Sequence, residues 1–485
     1  MGQHKMAGKD VEKGVIVEEV APRPADNDYV LKRHGTLDLD PMPTNSPKDP
    51  LNWSEWKKSY HLLLIGFGAM SCTFIAGGII ACFEPLAAEY NTSIPQASYF
   101  TSVQILLLGT GTFIFFPLMN KFGRRPVLSI CILMTGVCNL AAGFCKSYGQ
   151  QMATRVLCAI FLSPYTCVGG VVVAELYFAS QRGSRNGVWA LMLTLGPSLG
   201  PFVMGFVENN VGLHWVFWVF TIMNFVNFGC WLFADETLYL RGEDWGKETK
   251  ILGFITKTPY DISFWTFVRP LQRVADYRVL VTSITYGLVF GFGYIAPTVE
   301  MPQVYVQLFG FNAQEMGIQF VAVIIGSLIG ELLSGFLSDK WMQYCIKRRG
   351  GIKVIEDRLW VAYPGYVLSI IGLIIWGVTL QDAKPMQWIV TPSVGVAFCA
   401  AGLQIVTSPS ITYTVDTDYS RAVESGLVVS LIRQIICFIG PFFFPDMFEN
   451  LSLAGGTGLL AGIIFIAGLV PTIAIHLIGL RKVSK

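Results

Sequence analysis

Residues 60–83 read YHLLLIGFGAMSCTFIAGGIIACF, a run without a charged side chain. As an α-helix rising 1.5 Å per residue, this run would extend about 36 Å, enough to cross the roughly 30 Å hydrocarbon layer of a bilayer. Surface helices of soluble proteins instead carry a polar face. The stretch therefore predicts a membrane-spanning helix.

The remainder of the chain has the same character. Its 485 residues are 53% hydrophobic and 14% charged, with a mean hydropathy of +0.51, whereas soluble proteins are about 25% charged. Eleven further runs are long enough to span a bilayer. The twelve predicted spans, numbered in chain order, are 60–83, 98–118, 126–145, 152–178, 187–207, 213–234, 279–299, 316–337, 359–380, 388–415, 425–445 and 453–480.

The positive side chains orient these spans, because Lys and Arg are retained on the cytoplasmic side. With both termini inside, the cytoplasmic segments hold 31 of the 35 Lys and Arg residues and the external loops hold two, Lys146 and Lys384. The other two lie within spans. We therefore expect a multi-pass protein with both termini in the cytoplasm.

Composition also divides the chain into segments. The predicted fold is an all-α membrane protein whose twelve helices form two six-helix bundles. The segments are a disordered tail with an interfacial anchor (1–59), the first bundle (60–234), a central cytoplasmic loop (235–278), the second bundle (279–480) and a short C-terminus (481–485). A net charge of +2 gives no reason to expect nucleic acid as a partner.

Two short motifs carry a family resemblance. The loop after span 2, NKFGRRP from Asn120, resembles the GxxxDRxGRR signature of the major facilitator superfamily, with matches at Gly123, Arg124 and Arg125. Phe116, Asn120 and Lys121 depart from that signature. After span 8, Gly335 and Asp339 repeat its GxxxD register in the second half. In span 5, GPSLGP from Gly196 resembles the GPxxGG element of the fungal twelve-span drug:proton antiporter branch.

The resemblance implies two pseudo-symmetric halves built from inverted repeats. It implies a cytoplasmic gating cluster made of Gly123, Arg124, Arg125, Glu175, Gly335 and Asp339. A solvated charge pair at the membrane interface explains the position of Glu175 near Arg124 and Arg125 nearly as well. It also implies that spans 5 and 8 face each other across the halves, with close packing at Gly196, Pro197, Gly200, Pro201, Gly326 and Gly330. Glycines four apart allow close helix approach, and packing within one half explains such stripes equally well.

Charged side chains within spans are costly and point to functional positions. Arg155 in span 4 is expected either to act in the cavity or to extend to the outer interface as an anchor. Glu331 in span 8 and Arg433 in span 11 have similar depths, so they either form a salt bridge or leave Glu331 as the protonatable group. Glu300, just beyond span 7, is expected at a wet rim.

An aromatic stripe marks span 7, where Tyr286, Phe290 and Tyr294 follow one another at four-residue spacing. Gln104 in span 2 and Gln404 in span 10 add buried polar groups. We expect these five residues to line the substrate and proton pathway, although such a stripe also serves ordinary packing.

Catalytic and cofactor motifs are absent from the sequence. The five histidines form no metal-ligand spacing, and no GxxxxGK[ST] phosphate-binding loop occurs. We therefore expect no enzyme activity, no cofactor and no metal. The sequons at Asn91 and Asn450 fall in predicted external loops and are candidate N-glycosylation sites.

Together these features predict a proton-coupled secondary transporter in a fungal plasma membrane, exporting a drug or secondary metabolite by alternating access. The alternatives are an uptake symporter for a nutrient or organic ion and a membrane sensor that does not transport. The expected partners are a small-molecule substrate, protons and the lipid bilayer, and the expected functional unit is a monomer.

Overall fold

The computed structural model describes residues 27–35, 39–240, 249–251, 255–349, 354–418 and 421–483. Within these residues, eleven helices are long and apolar enough to cross a membrane. The first ten correspond to spans 1 to 10. The bounds of all eleven helices are Glu55–Glu89, Ile94–Phe122, Arg124–Ala142, Tyr148–Leu176, Gln181–Val211, Leu213–Leu232, Tyr277–Phe309, Ala313–Arg348, Ile355–Gln381, Thr391–Thr417 and Ala422–Arg481.

The last helix, Ala422–Arg481, contains spans 11 and 12. Ser452 interrupts it with a φ of 63° and a ψ of 166°, which no α-helical residue adopts. The second part runs back along span 9: the Ala454 amide donates to Gln381 at one end, and His476 contacts Tyr363 near the other. The twelve predicted crossings are therefore present, and the last two meet at one residue.

Polar caps extend several helices beyond their apolar runs. Span 2 starts with a capping box between Ser93 and Gln96, and span 8 with one between Asn312 and Glu315. Span 8 also continues to Arg348, because the residues after its apolar run include no Gly or Pro before the helix ends. The loop predicted after span 8 is therefore helix up to that point.

The predicted disorder of residues 1–59 is wrong for residues 27–35 and 39–59. A helix covers Asn27–His34, and Asp49 is fully buried and accepts the Leu51 amide. The side-chain amide of Asn52 donates to the carbonyl groups of Thr44 and Ser46. The prediction of disorder rested on the polar composition of this segment. Local hydrogen bonds satisfy the polar side chains of Asp49 and Asn52, so these residues are buried in the fold. Residues 1–26 of the predicted tail lie outside the described residues.

The central loop contains short elements. Strands Thr249–Ile251 and Ile255–Lys257 form an antiparallel pair, and a short helix, Phe264–Val268, leads into a 3₁₀ turn, Arg269–Ala275. The loop meets the end of span 2, where the Thr258 amide donates to the Lys121 carbonyl. It therefore packs on the first half before the chain enters span 7.

Two of the contacts between the halves lie toward the same end of the molecule. We call the side with residues 39–54, the central loop and the end of span 12 the terminal face, and the opposite side the distal face. Tyr99 of span 2 stacks on Phe442 of span 11, with ring centroids 4.5 Å apart, near the distal face. In spans 5 and 8, Gly205 packs directly on Ala313 and Gly317, also near the distal face.

Candidate substrate pathway and gating clusters

The aromatic stripe forms in span 7 as the spacing predicts. The ring centroids of Tyr286 and Phe290 lie 6.3 Å apart, and those of Phe290 and Tyr294 lie 5.8 Å apart. The helix widens here into a π-helical segment, Val289–Ile295. Such insertions are frequent at functional sites and had no signal in the hydropathy pattern.

Arg433 of span 11 lies against this stripe. Its Nη1 donates to the Tyr286 hydroxyl at 2.9 Å, and its guanidinium carbon lies 4.7 Å from the ring centroid of Phe290. Gly287, without a side chain, lets span 7 approach the Arg433 backbone closely. The guanidinium is therefore held by a hydrogen bond and a cation–π contact.

The predicted salt bridge between Glu331 and Arg433 is wrong, since Arg433 faces span 7 instead. Glu331 is half-buried, and within the described part of the chain its carboxylate has no hydrogen-bond or ion-pair partner. It shares a helix face with Ser327 and Ser334, four residues before and three after, and both serines are buried. Depth along the sequence did not reveal which face each side chain occupies.

A contact across the halves ends the stripe. The hydroxyl groups of Tyr294 in span 7 and Ser198 in span 5 form a hydrogen bond of 3.3 Å, and both residues are buried. Ser198 belongs to the GPSLGP element of span 5. The stripe, together with Arg433, therefore lies at the boundary between the two halves.

The two glutamines are buried within their own halves. Gln404 of span 10 is 4% exposed, and its Cβ lies against Gly330 of span 8. Gln104 of span 2 shares a helix face with Thr101, whose hydroxyl donates to the Ala76 carbonyl of span 1. Both polar atoms of the Gln104 side chain are buried and lack a hydrogen-bond partner among the described residues. Their role in the pathway stays a prediction.

Arg155 is completely buried within the first half. Its Nη2 donates to Asn139 of span 3 at 2.9 Å, and its guanidinium lies 4.9 Å from the ring centroid of Phe217 in span 6. The interfacial-anchor interpretation is wrong, because no part of the side chain reaches the surface. Nε and Nη1 have no hydrogen-bond partner in the described chain. No feature of the sequence predicted the contacts with Asn139 and Phe217.

The glycine stripes of spans 5 and 8 pack within their own halves, so their assignment to the boundary is wrong. A methyl group at Gly196 or Gly200 would collide with span 1, and one at Gly326 or Gly330 with span 10. Pro197 likewise presents its carbonyl to Gly77 of span 1. Small residues four apart predict that another helix packs closely against the stripe, but they do not identify that helix.

Other small residues form the contact between spans 5 and 8. The carbonyl groups of Pro201 and Phe202 lie against Gly317, and the Gly205 and Gly317 backbones touch. Asn209 donates a side-chain hydrogen bond of 3.0 Å to Gln314 beyond them. Of the six residues predicted for this boundary, Pro201 is the one whose described backbone contact crosses it.

An ion pair at the terminal face joins spans 3 and 4 of the first half. Nη2 of Arg124 lies 3.1 Å from Oε1 of Glu175, and Nη1 donates to Asn120 at 2.7 Å. Thr237 donates its hydroxyl to the second Glu175 oxygen. The sequence placed Arg124 and Glu175 near each other, and the structure brings them into contact.

Glu236 completes this cluster and was missed as a site residue. Its carboxylate accepts the backbone amides of Arg124 and Arg125, the first two residues of span 3, at 2.8 and 3.1 Å. Gly123 precedes them with a φ of 91°, and a side chain there would strike Glu236. Burial raises the pKa of Glu236, although the amide hydrogen bonds from Leu238 and Arg124 act in the lowering direction.

The second half also has ion pairs at the terminal face, and the predicted gating role of Gly335 and Asp339 stays a prediction. Gly335 is exposed within the span 8 helix with open space around it, and Asp339 lies in that helix with its side chain outside the description. Arg358 at the start of span 9 pairs with Asp416 at the end of span 10, at 3.1 Å. Arg273 of the central loop pairs with Asp418 at 3.1 Å.

The two sequons differ in setting. Asn91 is exposed in the turn between spans 1 and 2, with a φ of 51°. Asn450 is exposed but lies in the last helical turn of span 11, where its side-chain amide donates to the Asp446 carbonyl. Its predicted place in a loop is therefore wrong, and glycosylation at either position stays a prediction.

Two six-span halves that meet at an aromatic and cationic boundary define a multi-pass membrane protein of the transporter class. The chain belongs to the Major Facilitator Superfamily, whose sequence pattern it matches over residues 62–445. The match runs from span 1 into span 11 and so includes both halves.

Curated relatives agree with this membership. An uncharacterised transporter of Schizosaccharomyces pombe is 26% identical, with 86% of this chain and 87% of the relative covered. The MFS-type transporter atr4 of Stereocaulon alpinum is 27% identical (91% and 81%), and the probable efflux pump mfs2 of Aspergillus flavus is 25% identical (78% and 92%).

Among solved structures, a bacterial homologue of the human lysosomal transporter Spinster, in an inward-facing and unoccupied conformation, aligns with a TM-score of 0.57. Its identity is 16%, and the alignment covers 89% of this chain and 94% of that one. This likeness shows the fold.

Proposed function

We propose that the protein is a proton-coupled secondary transporter that exports a small organic compound from the cytoplasm by alternating access. The observation that carries this proposal is Arg433 held against Tyr286 and Phe290, two members of an aromatic stripe whose third member, Tyr294, contacts the other half. The name of the Aspergillus flavus relative, a probable efflux pump, supports the direction. The terminal face is then cytoplasmic, in agreement with the distribution of Lys and Arg.

The boundary site suits a flat, partly apolar molecule with an oxygen acceptor. The rings of Phe290 and Tyr294 offer aromatic surface, while the half-buried Arg433 keeps donors that the Tyr286 hydroxyl does not use. A carbonyl or carboxylate of the substrate would replace or share that hydrogen bond. Arg433 cannot carry the proton, because a guanidinium stays charged near neutral pH.

Glu331 is our candidate for the proton carrier. It is a half-buried carboxyl without a described partner, on a helix that contacts both span 10 and the other half. Burial of an unpaired carboxylate favours its protonated form. Binding of a proton to Glu331 would therefore stabilise one arrangement of span 8, and its release would favour another.

The contacts between the halves support alternating access. Those described above extend from the middle of the spans to the distal face, through Tyr99, Gly205 and Tyr294. The ion pairs of Arg124 and Arg358 at the terminal face each join spans of one half. This arrangement suits a state closed at the distal face, and transport requires those contacts to separate.

Proteoliposomes test the proposal through counterflow of candidate compounds, with and without an imposed pH gradient. Glu331→Gln is expected to abolish acceleration by the gradient while substrate exchange continues. The matched control, Glu315→Gln on the same helix, keeps an acceptor in the capping box and should retain coupling. Gradient-driven flux that survives in Glu331→Gln would remove the proton role.

Mutations at the boundary test the substrate site separately. Tyr286→Phe removes one hydrogen bond to Arg433 and should change substrate affinity several-fold, while Arg433→Lys loses the planar fork of donors and should impair exchange more. Unchanged exchange in both variants, at matched protein abundance, would place the substrate elsewhere. Accumulation against a gradient in right-side-out vesicles would favour the uptake symporter instead.

A further inference from the structure

A cavity of about 400 Å³ opens at the distal face between the ends of spans 7 and 11. Small-molecule pockets range from about 300 to 1,000 Å³, so this one is large enough for a compact organic ligand. Its polar lining comes from Glu300, Gln303 and Gln307 of span 7 and Glu449 of span 11, with Phe448 among its apolar residues.

Glu300 is the unusual member of this lining. The sequence predicts a wet rim residue, yet the structure leaves only 3% of Glu300 exposed. In the described chain its carboxylate has neither a hydrogen-bond partner nor an ion-pair partner, although it borders the cavity. A buried carboxylate without a counter-charge is costly, and a cation in the cavity would remove that cost.

The rest of the lining fits the same sign of charge. The cavity wall, as far as the structure describes it, carries two carboxylates and no positive side chain. The carboxamide oxygens of Gln303 and Gln307 accept hydrogen bonds from an ammonium group, and an aromatic ring favours alkylammonium groups. An anion would instead meet two negative charges in a poorly screened site.

We propose that this distal cavity is a binding site for a small organic cation, with the Glu300 carboxylate as its counter-ion. The site is separate from the boundary site at Arg433, because Glu300 follows Tyr294 by six residues, about 9 Å further along span 7. Cation binding here does not depend on the direction of transport or on proton coupling.

Binding is measured by titration calorimetry on the full-length protein in lipid nanodiscs, with benzyltrimethylammonium as the probe. Glu300→Gln preserves size and should weaken binding by about tenfold or more, as expected for loss of a buried charge pair. Glu449→Gln, at an exposed position, should weaken it about two- to threefold. Glu89→Gln removes an exposed carboxylate of the same face outside the cavity and should leave binding unchanged.

Two further measurements keep the result interpretable. Benzyl alcohol and benzenesulfonate, a neutral and an anionic probe, should bind far more weakly than the cation. Gln303→Trp fills the cavity without changing its charge and should remove cation binding, even if Glu300→Gln folds poorly. Equal affinity in Glu300→Gln, retained binding in Gln303→Trp, or no binding of the cation at millimolar concentration would each overturn the proposal. None of these results would contradict the proposed transport function, which the counterflow assay tests separately.

Discussion

The two halves place an ion pair at equivalent positions and support it differently. In the first half Arg124, at the start of span 3, pairs with Glu175, at the end of span 4, and only 5% of the Arg124 side chain is exposed. In the second half Arg358, at the start of span 9, pairs with Asp416, at the end of span 10, and 17% of the Arg358 side chain is exposed. The internal repeat thus preserves which spans are joined, while the burial of the pair differs.

Glu236 accounts for the difference. Its carboxylate caps the first two amides of span 3 and lies beside Arg124, where a negative charge also complements the helix dipole. Span 9 begins instead with a 3₁₀ segment, Ile355–Val361, in which the first turn supplies its own acidic residues. The comparison teaches that a repeat predicts a location, whereas the residues outside the repeat decide how strongly that location is held.

The largest expected effect comes from removing the arginine of each pair. Arg124→Met leaves Glu175 largely buried without its partner and should lower the free energy of unfolding by about 3 kcal/mol. Arg358→Met should cost about 1 kcal/mol, because water screens its pair more. Thermal unfolding in one detergent compares the variants. In Arg124→Met/Glu175→Met part of the loss should return, and equal losses in the two single variants would contradict the asymmetry.

The glycines of the two signature positions should respond in opposite directions. Gly123→Ala is expected to destabilise by about 1–3 kcal/mol, because its φ of 91° and ψ of 162° suit glycine alone and the new methyl would strike Glu236. Gly335→Ala lies in a helix with open space and should stabilise by about 0.5–1 kcal/mol. The same unfolding assay decides, and a loss of stability at both positions would contradict the gain expected for Gly335→Ala.

These contrasts show what the sequence could predict. Hydropathy found all twelve crossings, since about twenty apolar residues in a row have few alternatives. The motif after span 2 and the position of Glu175 predicted their contact, because both lie at the same end of neighbouring spans. The partners of Arg155 and Arg433 could not be predicted, because helix rotation decides them and a π-helical segment shifts the register of span 7. The prediction that Gly326 and Gly330 pack against span 5 was wrong for the same reason, since helix rotation turns them toward span 10.

The smallest effect is expected at the exposed pair of Lys57 and Asp235, beside the Glu236 cluster. Burial acts to raise the pKa of Asp235, but the hydrogen bond and charge of Lys57 lower it overall. The pair therefore stabilises above the ordinary aspartate pKa, about 3.9, and loses this contribution as pH falls through the lowered value. Asp235→Asn should cost less than about 1 kcal/mol at pH 7. Melting temperatures of the unmodified protein and of Asp235→Asn, measured from pH 7 down to pH 3, should show a difference that shrinks as the pH falls.

The central claim is that the halves separate at the distal face during transport. The direct measurement is substrate flux in proteoliposomes for Asn209→Cys/Gln314→Cys, at two positions whose native side chains are hydrogen-bonded at 3.0 Å across the contact of spans 5 and 8. A protease site inserted between residues 244 and 245 reports the crosslink, because the halves then stay joined on a gel. We predict that oxidation abolishes flux and that reduction restores it. Full crosslinking with unchanged flux would contradict alternating access through this contact.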